Sequence, residues 1–138
     1  RFPVYAKWKV DWFRNYQRHG GFHTLTGFKV EGILGRNDSI NYPVQGSAFH
    51  CLLWSLIQLN KWLNKNKKRS KIVGQIHDSI VADVCDTELE EFLTVAKTIM
   101  TKKIRNKYKW INVPLDVEAE VTPINGSWIE KKEMEIND

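Results

Sequence analysis

A chain of 138 residues that is 42% hydrophobic and carries six Trp is too apolar and aromatic for a disordered tail, and is long enough to bury one core. Its net charge of +5 and pI near 9.2 favour a polyanionic partner, although the same balance is common on proteins that touch no nucleic acid. No apolar run reaches ~18 residues and no secretion signal can be read, while Cys51 and Cys85 lie in apolar runs without a companion at metal-ligand spacing. A membrane span, a zinc site and a disulfide framework are therefore excluded, and a reducing, cytoplasmic setting is expected.

From Pro3 to His19, Val4, Trp8 and Trp12 recur every four positions, with Tyr5, Phe13 and Tyr16 widening the stripe, which predicts a helix opened by proline. Gly20 and Gly21 end it. Two β-prone runs follow, Phe22 to Leu25 and Phe28 to Leu34, joined at Thr26 and Gly27 as a hairpin. Gly35 to Ser39 reads as a loop, and Pro43 to about Asn64 as an apolar, largely buried helix through Leu52, Leu53, Leu56, Leu59 and Leu63. Lys65 to Lys71 (KNKKRSK) is either a solvated connection or a phosphate contact.

Ile72 to His77 and Ile80 to Cys85 are β-rich and flank His77, Asp78 and Ser79, so they form a hairpin with a charged tip. Thr87 and Glu90 have capping-box spacing and open a helix through Leu89, Phe92, Leu93, Ala96, Ile99 and Met100 to about Tyr108, its far end rich in Lys as the helix dipole prefers. Pro114 begins an alternation that puts Leu115, Val117, Ala119 and Val121 on a buried face and Asp116, Glu118 and Glu120 on a solvated one. The expected fold is a single α+β unit, an antiparallel β-sheet backed by helices. Leu52, Leu56, Leu89, Phe92 and Phe49 are expected in its core.

Asn41 to His50 (NYPVQGSAFH) and Gln75 to Ser79 (QIHDS) carry the most information. A carboxylate on a short loop between paired strands, as at Asp78, is rigid yet exposed, which is what clamping a divalent cation requires. Amides such as Asn41 and Gln45 can both donate to and accept from the minor-groove edges of any base pair. By period two, Gln75 and His77 share one side of the first strand. Taken singly, the aspartate could be turn chemistry, Asn41 a helix cap and Gln45 a surface amide.

In order and spacing the two segments resemble the Asn-x-Pro-x-Gln-Gly helix start and the Gln-x-His-Asp hairpin in the C-terminal half of the palm of family A DNA polymerases. FPVYAKWKVDWFRNYQRHGGFHTLTGF upstream, and VPLDVEAEV with Trp128 downstream, are similar to that family's flanks. The resemblance implies that residues 1–138 are part of the palm, with 1–34 the helix and hairpin after the fingers, 41–64 a palm helix, 72–85 the catalytic hairpin, and 87–121 a helix and closing strand. It implies Asp78 and His77 as catalytic residues and Asp78 as a ligand to one of two Mg²⁺ ions. Asn41, Gln45, Gln75, His77 and Arg36 would contact primer-template DNA, and deoxynucleoside triphosphates would be the other substrate.

Two positions depart from the family. Ser79 stands where most members have Glu, as in the single-subunit RNA polymerases, and the Arg often found four residues before the Asn is Asn37 here, with Arg36 beside it. The family's other catalytic Asp and its nucleotide-holding fingers residues would precede Arg1. With Arg1 rather than Met at the start, the chain is expected to be an excerpt, or one piece of a split polymerase that needs a partner carrying the fingers, and inactive alone. The wording NYPVQGSAFH looks most like phage-type enzymes, which work in a bacterial cytoplasm. A non-catalytic DNA-binding module derived from the palm and a single-subunit RNA polymerase segment are the alternatives.

Overall fold

Proline at the first helical position loses nothing by lacking an N–H, and α1 (Pro3–His19) begins there in the computed structural model, which describes residues 2–137. Arg1 and Asp138 lie outside the described residues. Gly20 ends α1 at φ 69, and its N–H donates to the Tyr16 carbonyl at 2.8 Å. The aromatic stripe packs on itself, Tyr5 on Trp8 and Trp8 on Trp12, with centroids 5.7 Å apart in both pairs. The two β-prone runs pair antiparallel as expected, but shortened to β1 (Gly21–His23) and β2 (Lys29–Glu31). Beyond β2, the Tyr16 hydroxyl donates to the Gly32 carbonyl and accepts the Leu34 N–H at 2.7 Å, which fixes the way into the next helix.

That helix, α2 (Arg36–Lys65), starts seven residues before Pro43 and absorbs the loop expected at 35–39. Arg36, Asn37 and Asp38 are polar because they form the exposed part of the first turn, in which Asp38 suits the positive end of the helix dipole, while Ser39 is buried and its hydroxyl donates to the Arg36 carbonyl at 2.9 Å. Pro43 lies inside the helix and so leaves the Ser39 carbonyl, four residues back, without its backbone donor. The Trp12 indole N–H takes that place, donating to the Ser39 carbonyl at 2.8 Å. A tryptophan of α1 thus repairs the bond that the proline removes, and the helix continues.

The chain divides into two compact units, residues 1–51 and 52–138, and not the single core expected. In the first, Tyr16, Phe22 and Ile40 are the large buried apolar residues. In the second, Leu59, Leu63, Phe92 and Ile99 form the core, with Trp54, Trp62, Ile72, Ala82, Val84 and Leu93 packed around it. Leu52, Ser55, Leu59 and Leu63 share the buried stripe of α2, at spacings of three and four. Leu56 stands one step off that stripe and is half-buried, as is Leu89, while Phe49 is exposed. Of the expected core, only Leu52 and Phe92 are buried.

Strands β3 (Lys71–Ile76) and β4 (Ser79–Asp83) form the second hairpin. The basic loop before it is tied down at Lys68, Arg69 and Ser70. Lys68 pairs with Glu91 and lies over the Trp62 ring, while the Glu88 carboxylate accepts the Arg69 N–H at 3.0 Å, the Ser70 N–H at 3.0 Å and the Ser70 hydroxyl at 2.5 Å. These bonds, led by that of the Ser70 hydroxyl, push the Glu88 carboxyl down to about 2. Thr87 caps nothing. A 3₁₀ turn at Asp86–Glu88 leads into α3 (Leu89–Lys97), which continues through a π-helical segment, Thr98–Lys103, into α4 (Ile104–Lys107). The Thr101 hydroxyl donates back to the Lys97 carbonyl at 2.7 Å there, a bond that loosens a helix.

Of the alternating run after Pro114, only β5 (Ala119–Val121) is a strand, paired antiparallel with β6 (Lys132–Met134). Leu115 is exposed, and Glu120 on the acidic face pairs with Lys131. The fold is α+β, its strands antiparallel but arranged, among the described residues, as three two-stranded sheets.

Candidate active-site hairpin

The register of β3 against β4 leaves His77 and Asp78 as a two-residue tip, since Ile76 pairs with Ser79. Farther from the tip, Ile72 faces Ala82 while Gly74 faces Val81, so Val73, three residues before Ile76, is an extra, bulged residue. His77 has φ 50, in the left-handed region that few residues other than glycine enter and in which His, Asn and Asp are over-represented. Two bonds hold the tip in this shape. The Gln75 amide donates to the His77 carbonyl at 3.0 Å, and the Ser79 hydroxyl donates to the Ile76 carbonyl at 2.8 Å.

Asp78 is therefore carried, exposed, on a braced, strained turn, and its carboxylate has no hydrogen-bond or ion-pair partner among the described residues. Such an oxygen donor suits a hard cation. Among the described residues no three His, Cys, Asp or Glu side chains gather into a metal-holding group, and the tip of the hairpin carries one carboxylate, where a metal pair needs more. His77 lies in the turn and out of the strand, so it does not share a strand face with Gln75; the amide of Gln75 is spent on its backbone instead.

Asn41 and Gln45, four residues apart inside α2, share one exposed helix face, and Asn41 is not a cap. Arg36, five residues before Asn41, is roughly 140° around the helix from it, and its guanidinium lies 5.9 Å from the Phe13 ring centroid. Asn37 is the residue that shares the Asn41 face. Arg36, Asn41 and Gln45 belong to the first compact unit, and Gln75, His77 and Asp78 to the second.

Sequence reasoning missed the network that anchors the Asn41–Gln45 turn. Leu25 N–H donates to Ser47 Oγ at 3.0 Å, the Ser47 hydroxyl donates to the Pro43 carbonyl, and Thr26 Oγ1 is 2.9 Å from both His50 Nδ1 and Thr24 Oγ1. Gly46 lets this loop come close, since a Cβ there would sit 3.3 Å from Thr24 Cγ2. The paired threonines at the β1–β2 turn were the available signal.

The fold resembles that of a polymerase domain: the POL domain of Pol1 from M. smegmatis, solved in complex with DNA primer-template and dNTP, superposes with a TM-score of 0.64 at 20% identity over 73% of this chain and 20% of that one. The model for DNA polymerase family A matches residues 29–128. The DNA polymerase of Bacillus phage SP01 is 32% identical over 135 residues, 88% of this chain and 15% of the phage protein. DNA polymerase I of Lactococcus lactis subsp. cremoris is 35% identical over 105 residues, 76% of this chain and 11% of that enzyme. The chain belongs to DNA polymerase family A, and it spans roughly a tenth to a fifth of the length of these relatives.

Proposed function

We propose that this chain is the C-terminal palm part of a family A DNA polymerase and contributes one metal-binding carboxylate, Asp78, to template-directed DNA synthesis. The observation that carries this is the braced tip of the β3–β4 hairpin: an exposed, unpartnered carboxylate next to a residue held at positive φ, in a chain of this family. Strain of this kind, on the order of 1–3 kcal/mol, persists where the turn's shape is needed.

In this reading Asp78 holds Mg²⁺ jointly with carboxylates from the rest of the polymerase. Magnesium, when bound, supplies positive charge against which phosphoryl oxygens are drawn and polarised. Gln75 and Ser79 keep the tip from relaxing, so Asp78 needs no rearrangement to serve, which is the preorganisation that electrostatic catalysis relies on. Ser79, bonded back to Ile76, stands where an accessory acid is usual and braces the turn instead. Asn41 and Gln45 present amides from one helix face, and with His77 they contact the primer-template through groove edges common to all base pairs. Arg36 faces away from that pair, so its proposed contact is with the DNA backbone. A primer-template duplex and deoxynucleoside triphosphates are the substrates.

The alternative reading is a DNA-binding module that has kept the palm surface without the chemistry. Primer extension separates the two. The chain alone with Mg²⁺ and all four nucleotides is expected to extend nothing, and addition of the remaining polymerase segment to restore synthesis. Failure of every such addition, with DNA binding intact, would favour the binding module.

A further inference from the structure

The helical run that begins at Leu89 ends in a concentration of positive charge. Between Glu91 and Asp116 there is no acidic residue, while Lys97, Lys102, Lys103, Arg105, Lys107 and Lys109 fall in that interval. Lys97 donates to the Ile136 carbonyl at 3.0 Å, and Lys107 lies over the Tyr108 ring. Lys102, Arg105 and Asn106 follow at spacings of three and four, so they share one side of the run, and Lys109 comes just beyond its end. After Lys107 the chain turns, with the Ile111 N–H donating to the Tyr108 carbonyl at 3.0 Å, and this folds Ile111 and Asn112 back toward the same side. The six residues Lys102, Arg105, Asn106, Lys109, Ile111 and Asn112 line an open groove of about 500 Å³.

The helix dipole explains a lysine or two at a helix C-terminus and no more, because its effect fades within the last turn. Lys109 and Asn112 lie beyond the helix, and the amides of Asn106 and Asn112 gain nothing from a dipole. Among the described residues Lys102 and Arg105 have no ion-pair partner, and Lys109 has only the Asn106 amide oxygen, at 3.3 Å. Three cations and two amides with no acid among them suit a chain of phosphates. Trp110, between two lining residues and 40% exposed, adds an aromatic face on the rim of the turn. Cations along an open groove with an accessible ring near it are what single strands use, the phosphates following the charge and a base stacking on the ring.

We infer that the Lys102–Asn112 groove binds a single-stranded nucleic acid, through phosphate contacts at Lys102, Arg105 and Lys109 and a base stacked on Trp110. The groove shares no residue with the primer-template surface proposed above.

Fluorescence anisotropy with a labelled thymidine oligonucleotide of about twelve nucleotides tests this on the 138-residue chain, with thermal melts to confirm folding of each variant. The combined Lys102→Gln, Arg105→Gln and Lys109→Gln variant is expected to bind at least about tenfold more weakly and to reduce the salt slope by about two, from about 0.7 per phosphate contact. Trp110→Ala is expected to weaken the oligonucleotide by about fivefold or more, and a duplex much less. Lys65→Gln, Lys67→Gln and Arg69→Gln together, an equal change of charge in the loop before β3, are the control and should cost under about threefold. Equal losses in the groove and loop variants, or none in the groove variant, overturn the site. A duplex that binds as tightly as the single strand, with Trp110→Ala silent, overturns its assignment to single strands. If the triple variant does not fold, Arg105→Gln alone reads the same contact, and unchanged affinity in it counts against the groove.

Discussion

Replacing Trp12 with Phe removes the indole N–H that serves the Ser39 carbonyl but keeps an aromatic ring near Phe22, whose centroid is 5.3 Å from that of Trp12. Ser39 is fully buried, so water cannot take the donor's place, and the lost bond should cost about 1–3 kcal/mol, to which the smaller ring adds a packing loss. Pro43→Ala separates the two contributions. Alanine restores a backbone N–H in register with the Ser39 carbonyl, so in that background Trp12→Phe loses only packing. The coupling energy between the two sites, from urea unfolding of the four proteins followed by helical circular dichroism, should be about 1–2 kcal/mol, with Trp12→Phe milder when residue 43 is Ala. A coupling energy within about 0.3 kcal/mol of zero would refute the idea that the tryptophan stands in for the proline's missing donor.

Two further outcomes follow from the second unit. Leu59→Ala empties the centre of the Leu59–Leu63–Phe92–Ile99 cluster and should cost about 2–5 kcal/mol in the same unfolding assay, whereas Leu56→Ala, half-buried, should cost clearly less. Glu88 has its carboxyl lowered from an ordinary 4.5 to about 2, so its contribution is complete above the ordinary value and fades as pH falls toward the lower one. Wild type should therefore lose more stability than Glu88→Gln between about pH 6 and about pH 3, and parallel losses would show that the Ser70 and Arg69 bonds do not matter.

Elements whose cause is local were legible. Pro3, the Trp8–Trp12 spacing and Gly20 bound α1 to the residue, and His77, Asp78 and Ser79 marked the second hairpin's tip, from which the structure moves only Ser79 into the strand. What failed depended on residues far apart in sequence. Nothing near Pro43 announces that Trp12 will let a helix run through it, so α2 was expected to start too late. Thr87 and Glu90 were expected to cap a helix start, whereas it is the carboxylate of Glu88 that makes the contacts there, to Arg69 and Ser70 nearly twenty positions earlier. Strand β6 (KEM) is too short and polar to show a period, and its pairing with β5 is visible only in three dimensions. At the candidate site the residue types and order were readable, while the rotation of Arg36 away from Asn41 and the place of His77 in the turn needed helix phase and strand register.

The account stands or falls on Asp78, and primer extension by the complete polymerase carrying Asp78→Ala within this segment tests it most directly. Extension should fall by at least about a hundredfold, as when one preorganised electrostatic partner of a reaction is removed. The melting temperature should stay that of the unaltered protein, because the carboxylate has no partner among the described residues to lose. Retained extension, or a melting temperature lowered as far as by Leu59→Ala, would make Asp78 an ordinary turn residue and contradict its role as a metal ligand.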